Sequence, residues 1–210
     1  MRASDSLAIL PTPSGTFRLL PVASDSFHIL PHPSESFAQL FEAPNASGAG
    51  LVYTHGGSER QTFAAFHFGP VYAQQYAYNQ YLAVEQGMHV LSVNYRSGVG
   101  YGAAFRLCDA CMSFGAAEYG DVRTAGLALG GRWPTSPPLG QLLRRAVDPS
   151  RVGIWGISYG GLNALQAVAR DSHTVWAAAV SNAGIFNWIS ELRYFTDSGG
   201  QVRLKADPDS

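Results

Sequence analysis

The pattern of apolar and polar positions changes sharply around one serine in the second half of the chain. Residues 152–157 form a short apolar run that predicts a buried strand, and apolar residues then recur at helical spacing from Leu162. Between the two lies Gly156-Ile157-Ser158-Tyr159-Gly160, a Gly-x-Ser-x-Gly sequence. A strand, a sharp turn and a helix are the setting of a nucleophile elbow. We therefore predict that Ser158 occupies a strand-to-helix turn with a positive φ or another strained conformation.

Similar patterns elsewhere predict alternating strands and helices. Strands are predicted at 37–41, 51–54, 89–94 and 176–181, the first at a sheet edge and the second at the centre. Helices are predicted at 71–86 and 116–129, and a Gly/Pro-rich surface insertion at 130–139. This alternation predicts an α/β fold, namely an α/β-hydrolase fold whose mainly parallel sheet has helices on both faces.

The first forty residues differ from the rest because they repeat every ten positions. Each unit is a short strand-like run that ends near a proline and a polar turn, as in the segments 6–11, 16–21 and 26–31. Such units indicate either a set of short strands or a low-complexity segment. We predict that residues 1–34 are a separate lead-in, disordered or in short strands, and that residues 35–210 are the α/β domain.

Composition narrows the class of protein. The chain has 210 residues, of which 46% are hydrophobic and 14% charged, so it is not a disordered chain. The formal net charge of −1 gives no field for nucleic acid or an anionic membrane, and neither is expected as a partner. No apolar run reaches the roughly 20 residues of a membrane span, and the N-terminus lacks a signal-peptide core. We predict a cytoplasmic protein.

The two cysteines, Cys108 and Cys111, form a single Cys-x-x-Cys sequence. A zinc site would need two further ligands at metal spacing, and a redox pair would need thioredoxin-like surroundings. The sequence has neither, so we interpret the pair as incidental thiols or a local disulfide. Neither a metal nor another cofactor is expected.

Five motifs, in this order, resemble the catalytic domain of the prolyl oligopeptidase family, in its dipeptidyl-peptidase and acylaminoacyl-peptidase branch. They are His55-Gly56-Gly57, the Asn-Tyr-Arg…Gly-Tyr-Gly run at 94–102, Glu118-x-x-Asp121-Val122, the segment 147–152, and the elbow at 155–161. The resemblance extends from about residue 37 to residue 195. The run at 94–102 distinguishes this family from lipase-like carboxylesterases. The resemblance implies a serine peptidase that hydrolyses peptide substrates through an acyl-enzyme on Ser158.

Backbone N–H groups near the elbow are candidates for an oxyanion hole. The Tyr159 N–H lies at a helix N-terminus, and the Gly57 N–H follows a strand that should end at the same sheet edge. In the resembled family a tyrosine hydroxyl often contributes from the position of His55. The imidazole here is either a further oxyanion donor or a structural histidine, and both interpretations stay open. Arg96 is expected to anchor its own loop to a carboxylate.

The resemblance also implies a substrate pocket with aromatic walls. The residues that match this region are Trp188, Tyr194 and Phe195. A flat aromatic wall suits the ring of a proline residue before the cleaved bond. For any single aromatic side chain, however, packing in the core is the common alternative.

A catalytic base is not evident in the chain. An elbow serine needs a histidine and a carboxylate in the chain order Ser, Asp, His, and the only histidine after Ser158 is His173. His173 lies at the far end of the predicted helix, some 15 Å or more away at about 1.5 Å per residue. We therefore expect a C-terminally truncated catalytic domain with very weak or no activity. An incomplete sheet should expose apolar surface and self-associate.

Two other functions stay open from the sequence. A non-catalytic binding protein would keep the hydrolase scaffold without the missing base. A carboxylesterase would keep the elbow, but it fits the motifs outside the elbow less well.

Overall fold

A computed structural model describes residues 5–11, 17–23, 26–30, 36–63, 69–112, 116–132, 146–172, 174–187 and 189. Most of the predicted surface insertion lies outside these residues. So do His173 and the three predicted pocket aromatics, Trp188, Tyr194 and Phe195.

The strands and helices predicted between residues 37 and 181 begin and end within two residues of their predicted bounds. The strands are β1 (Asp5–Pro11), β2 (Phe17–Ala23), β3 (Ser26–Leu30), β4 (Ser36–Phe41), β5 (Gly50–Thr54), β6 (His89–Asn94), β7 (Val152–Ile157) and β8 (Ala178–Asn182). The helices are α1 (Pro70–Val84), α2 (Ala103–Arg106), α3 (Ala116–Leu129) and α4 (Tyr159–Asp171), and a 3₁₀ turn spans Pro149–Arg151.

Six strands form one sheet in the order β3-β4-β6-β5-β7-β8. Strands β6, β5, β7 and β8 are mutually parallel, whereas β4 is antiparallel to β6 and to β3. The central position of β5 and the mainly parallel sheet are confirmed. Strands β1 and β2 form a separate antiparallel pair.

The prediction that residues 37–41 form an edge strand is wrong. Strand β4 lies inside the sheet because β3 pairs with it, with Ser26 opposite Leu40. The partner strand comes from the ten-residue repeats, and local periodicity carries no information about which strands pair. The boundary at residue 34 stays a prediction, although the last strand of the predicted lead-in joins the sheet of the α/β domain.

Helices cover both faces of the sheet, as predicted. On one face, helices α3 and α4 pack against the inward side chains of β5, β6 and β7; Val52, Val122, Ile154 and Ala164 there are wholly buried. On the other face, the α1 residue Leu82 is buried in a cluster with side chains of β4, β5, β6 and β7. The neighbours Ile154 and Trp155 join opposite clusters, because successive side chains of a strand point to opposite faces.

A buried ion pair fixes the loop that follows β6. The Arg96 guanidinium lies 2.9 Å from Asp121 of α3, and the Arg96 backbone N–H donates to the same carboxylate at 2.8 Å. The Asp121 side chain is fully buried. The predicted anchoring role of Arg96 is confirmed, and it holds this loop at the carboxyl ends of the parallel strands.

Cys108 and Cys111 form a disulfide in the segment between α2 and α3. Of the two interpretations that the sequence allowed, the structure has the local disulfide.

Among the described residues, no helix combines the length and apolar character that a membrane span requires.

Candidate active site

Ser158 stands at the junction between β7 and α4. Its φ and ψ are 57° and −117°, outside the regions that ordinary residues prefer, so the predicted positive φ is confirmed. The Ser158 N–H donates to the Asn182 carbonyl at 2.9 Å, and its carbonyl accepts from the Leu162 N–H at 3.1 Å. These bonds tie the strained residue to β8 on one side and to the first turn of α4 on the other.

The glycines around Ser158 allow backbones to approach at distances that a Cβ would forbid. A Cβ on Gly156 would lie 2.4 Å from the Gly160 carbonyl oxygen, and a Cβ on Gly160 would lie 1.9 Å from the Thr54 carbonyl oxygen. Real Cβ atoms essentially never come within 3.0 Å of such atoms. A Cβ on Gly161 would meet the Gly184 Cα at 2.6 Å. The elbow is therefore a close contact between α4, the end of β5 and the segment after β8.

The register between β5 and β7 brings the His-Gly-Gly segment to the elbow. Thr54 pairs with Gly156, so the residues that follow β5 run beside those that follow β7. A Cβ on Gly56 would lie 3.2 Å from the Ser158 Cβ. Gly57 has a φ of 130°, which favours glycine. The structure thus brings Gly57, Ser158 and Tyr159 together at one sheet edge, as the sequence predicted.

Ser158 lines a cleft of about 450 Å³ at this edge. The described residues that line it are Gly56, Gly57, Arg60, Gly69, Pro70, Gln75, Ile157 and Ser158. Sequence reasoning missed Arg60 and Gln75. Arg60 follows the His-Gly-Gly segment by three residues and could have been found from that proximity, whereas Gln75 comes from α1 and carries no local signal.

His55 is directed into the protein and is not among the residues that line the cleft. Its side chain is fully buried and stacks on the Tyr95 ring, with centroids 4.4 Å apart. Its Nδ1 lies 2.7 Å from the Gly56 carbonyl oxygen, and the Tyr95 hydroxyl donates to the His55 carbonyl at 2.6 Å. Because an accepting carbonyl faces Nδ1, that nitrogen is the N–H donor. This geometry favours the structural interpretation over the oxyanion-donor interpretation.

Burial lowers the pKa of the His55 imidazole to about 4. The hydrogen bond to Gly56 opposes this shift, and the charge of Arg60 adds to it. The ring is therefore neutral at physiological pH and holds the turn before Gly56 and Gly57 as an uncharged donor. Its Nε2 is buried without a hydrogen-bond partner.

The segment that contains Ser158 matches a known protein family. Residues 141–199 match the model of the prolyl oligopeptidase family. The venom dipeptidyl peptidase 4 of Apis mellifera is 42% identical over 51 residues, which cover 24% of this chain and 7% of that protein. The family match covers less than a third of the chain, so it shows that the segment containing Ser158 resembles the prolyl oligopeptidase family.

Solved structures of peptidases share the fold of this chain. Dipeptidyl peptidase 4 of Porphyromonas gingivalis matches 90% of this chain at 23% identity, with a TM-score of 0.58. The acylaminoacyl peptidase of Pyrococcus horikoshii matches 81% at 20% identity and 0.59, and a puromycin-hydrolyzing peptidase of Mycobacterium tuberculosis matches 82% at 22% and 0.60. The chain spans only 22%, 24% and 26% of these proteins, respectively. At such identities, the likeness supports the α/β-hydrolase fold alone.

The predicted aromatic walls stay a prediction, since Trp188, Tyr194 and Phe195 lie outside the described residues. The described residues contain no group of three or more His, Cys, Asp or Glu side chains that could hold a metal ion.

Strand β8 is largely exposed, with Val180 at 59%, as is Phe186 beyond it at 83%. Self-association through this surface also stays a prediction.

The buried His55 predicts a loss of stability in mild acid. Its pKa of about 4 in the folded chain lies below the ordinary histidine value of 6.5, so the unfolded chain binds more protons between these two pH values. Stability is then fully present above pH 6.5 and falls as the pH drops toward 4. Between pH 7 and pH 5 this one group should cost about 2 kcal/mol.

Urea unfolding at the two pH values measures this effect. The variant His55→Phe keeps an aromatic ring on Tyr95 but has no titrating group, so it should lose most of the pH dependence. An equal pH dependence in the variant and the native chain would show that other groups cause it.

Proposed function

We propose that this chain is a serine-type peptidase domain in which Ser158 attacks the carbonyl carbon of a peptide bond. One observation carries the proposal: Ser158 is held at φ 57° between β7 and α4, at the wall of a cleft of about 450 Å³. A serine that served only to cap a helix would not need a strained conformation, and the close glycine contacts around it would serve no purpose.

The reaction would follow the acyl-transfer scheme. A bond forms between the Ser158 Oγ and the carbonyl carbon, and the hydroxyl proton passes to a base. The C–N bond then breaks, the amine leaves with a proton, and water hydrolyses the serine ester. The Tyr159 and Gly57 N–H groups are our candidates for stabilising the oxyanion, because Tyr159 directly follows Ser158 and Gly57 lines the same cleft without a side chain.

The base is the weak point of the scheme in this chain. His55 is buried, neutral and bonded to Gly56, so it is not free to accept the Ser158 proton. His173 is the only histidine after Ser158, and it follows the last residue of α4 by two positions. Without a positioned base, the oxyanion hole and substrate binding retain about 10³–10⁴-fold acceleration over water. We therefore propose that the chain by itself is a very slow enzyme.

Labelling with a fluorophosphonate probe tests this proposal. The purified 210-residue chain should label slowly and incompletely, with the adduct mapped to Ser158 by peptide mass spectrometry, and the variant Ser158→Ala should lose the adduct. Ser150 is an exposed serine in the 3₁₀ turn before β7, so Ser150→Ala is a matched control that should label like the native chain.

Two other labelling results would contradict the proposal. Rapid and stoichiometric labelling at Ser158 would refute the slow-enzyme proposal, because it requires a working base. Labelling at the rate of the urea-unfolded chain would refute the peptidase proposal. It would leave a non-catalytic binding protein with a hydrolase fold.

A further inference from the structure

The Asn-Tyr-Arg…Gly-Tyr-Gly run at 94–102 lies beside the loop that carries the oxyanion-hole candidate Gly57. This loop, residues 55–62, follows β5, and we call it the Gly57 loop. Strands β5 and β6 are parallel neighbours, so the carboxyl end of β6 lies next to the start of the loop. Asn94 is the last residue of β6, and Tyr95 follows it. The side chains of these two neighbours bond to opposite ends of the Gly57 loop.

Tyr95 holds the first residue of the loop. Its hydroxyl donates to the His55 carbonyl oxygen at 2.6 Å, and its ring stacks on the His55 imidazole with centroids 4.4 Å apart. Both residues are fully buried. The His55 carbonyl belongs to the peptide unit directly before the one that carries the Gly57 N–H. The Tyr95 hydroxyl therefore fixes the backbone within one peptide unit of the candidate donor.

Asn94 holds the last residue of the loop, Thr62, through both ends of its amide. Its Oδ1 accepts from the Thr62 backbone N–H and from the Thr62 hydroxyl, each at 2.8 Å. Its Nδ2 donates to the Thr62 carbonyl at 2.9 Å and to the Tyr101 hydroxyl at 2.8 Å. Asn94 is 3% exposed and Thr62 is 7% exposed. Because one end of the amide accepts and the other donates, a carboxylate could not make the same set of bonds.

The middle of the loop is held by the same run. The Val99 N–H donates to the Arg60 carbonyl at 3.3 Å. Gly98 lies so close that an added Cβ would come within 2.8 Å of the same carbonyl oxygen. Within the loop, the Arg60 N–H donates to the Ser58 carbonyl at 2.6 Å. The Gly57 loop is thus attached to the run 94–102 at its start, its middle and its end.

We propose that Asn94 and Tyr95 are positioning residues, which hold the Gly57 N–H in the place where it can stabilise the oxyanion formed at Ser158. An oxyanion donor is effective when it is already in place as the charge develops, so a donor on a loop needs a fixed loop. The inference rests on the proposed function, because Gly57 is taken there as an oxyanion donor. It gives the run 94–102 a role that the elbow does not supply.

Two variants loosen the loop at its two ends. Tyr95→Phe removes one hydroxyl and keeps the ring on His55. Asn94→Asp keeps an acceptor for Thr62, but it cannot donate to the Thr62 carbonyl, and its second oxygen repels that carbonyl. Tyr119→Phe is the matched control. Tyr119 is 3% exposed, and its hydroxyl donates to Asp171 at 2.5 Å, a bond that does not involve the Gly57 loop.

NMR relaxation of the Gly57 amide measures positioning directly in the full 210-residue chain. The order parameter should be about 0.85 in the native chain, because the loop is held at three places, and should fall below about 0.6 in Asn94→Asp. Tyr95→Phe should give a smaller decrease, and Tyr119→Phe should give none. This measurement involves no reaction, so it does not depend on the proposed function.

Fluorophosphonate labelling of Ser158 measures the consequence for the reaction. It is followed by intact mass spectrometry at a temperature at which urea unfolding shows every variant to be folded. The labelling rate at saturating probe should fall about three- to tenfold in Tyr95→Phe and about ten- to thirtyfold in Asn94→Asp, since outright loss of one donor costs about 10²–10³-fold. The probe concentration at half-maximal rate should change by less than about twofold, because the donor acts on charge that develops during the reaction.

Several results would overturn the inference. These are an unchanged Gly57 order parameter in both variants, an unchanged saturating rate despite a mobile Gly57, or an equal fall in rate in Tyr119→Phe. If Asn94→Asp does not fold, Tyr95→Phe alone decides, because it loses a single hydroxyl. Native labelling no faster than that of the urea-unfolded chain would instead refute the peptidase proposal, even if both variants loosened Gly57.

Discussion

Replacing Gly160 with alanine is expected to destabilise the fold by about 3 kcal/mol or more and to displace Ser158. The new Cβ would lie 1.9 Å from the Thr54 carbonyl oxygen and 2.6 Å from the His55 carbonyl oxygen. Both are backbone atoms at the end of β5, so no side-chain rotation can relieve the overlap. Helix α4 must instead move away from the sheet, which would pull the elbow apart. Urea unfolding and probe labelling of the variant measure the two effects.

Gly120 supplies the matched control. It also lies in a helix, α3, but a Cβ there would have the Arg96 Nη2 as its nearest heavy atom, at 3.7 Å. Since alanine is the better helix former, Gly120→Ala should stabilise the protein by about 0.5–1 kcal/mol. If the two variants changed stability equally, the close contact at Gly160 would not be the cause.

Replacing Arg96 with glutamine is expected to cost about 3 kcal/mol of stability. Asp121 has a fully buried side chain, and the guanidinium donates to it from Nε at 3.0 Å and lies 2.9 Å away at Nη2. Removing the cation takes its positive charge away from a buried carboxylate, and breaking a buried pair in this way typically costs about 3–5 kcal/mol. Because Arg96 is 20% exposed, we expect a loss at the lower end of this range. Chemical denaturation at neutral pH measures the change.

The same substitution at a second ion pair is the control. Arg123 and Asp171 pair at 3.0 Å, but their side chains are 43% and 12% exposed. Asp171 also keeps the Tyr119 hydroxyl as a donor at 2.5 Å. Arg123→Gln should therefore cost no more than about 1 kcal/mol. A similar loss in both variants would mean that burial does not decide the strength of these pairs.

Local sequence rules were sufficient for the elements around the site. The helix predicted at 116–129 is α3 to the residue, and the strand predicted at 89–94 is β6. The positive φ of Ser158 followed from Gly156 and Gly160, since two glycines two residues either side of a serine permit a turn that other residues would block. These predictions depend on sterics and periodicity within a few residues.

Predictions that required knowledge of distant partners were less secure. The sequence predicts β4 at the sheet edge, but β3 pairs with it on its outer side. The sequence allows two roles for His55, and its stacking on Tyr95, forty residues away, favours the structural one. Gln75 was missed because its amide reaches the cleft only through packing of α1 and a bond to Tyr53.

By itself, the sequence determined the elbow, the alternation of strands and helices, and the resemblance to the prolyl oligopeptidase family, because each depends on short contiguous segments. The tertiary structure decided the strand order and the contents of the cleft. The pairing of Gly50 with Val152 joins positions about a hundred residues apart, and this register carries the segment with Gly57 and Arg60 to Ser158. Long-range pairing depends on which whole faces pack best together, and a window of local sequence does not contain that comparison.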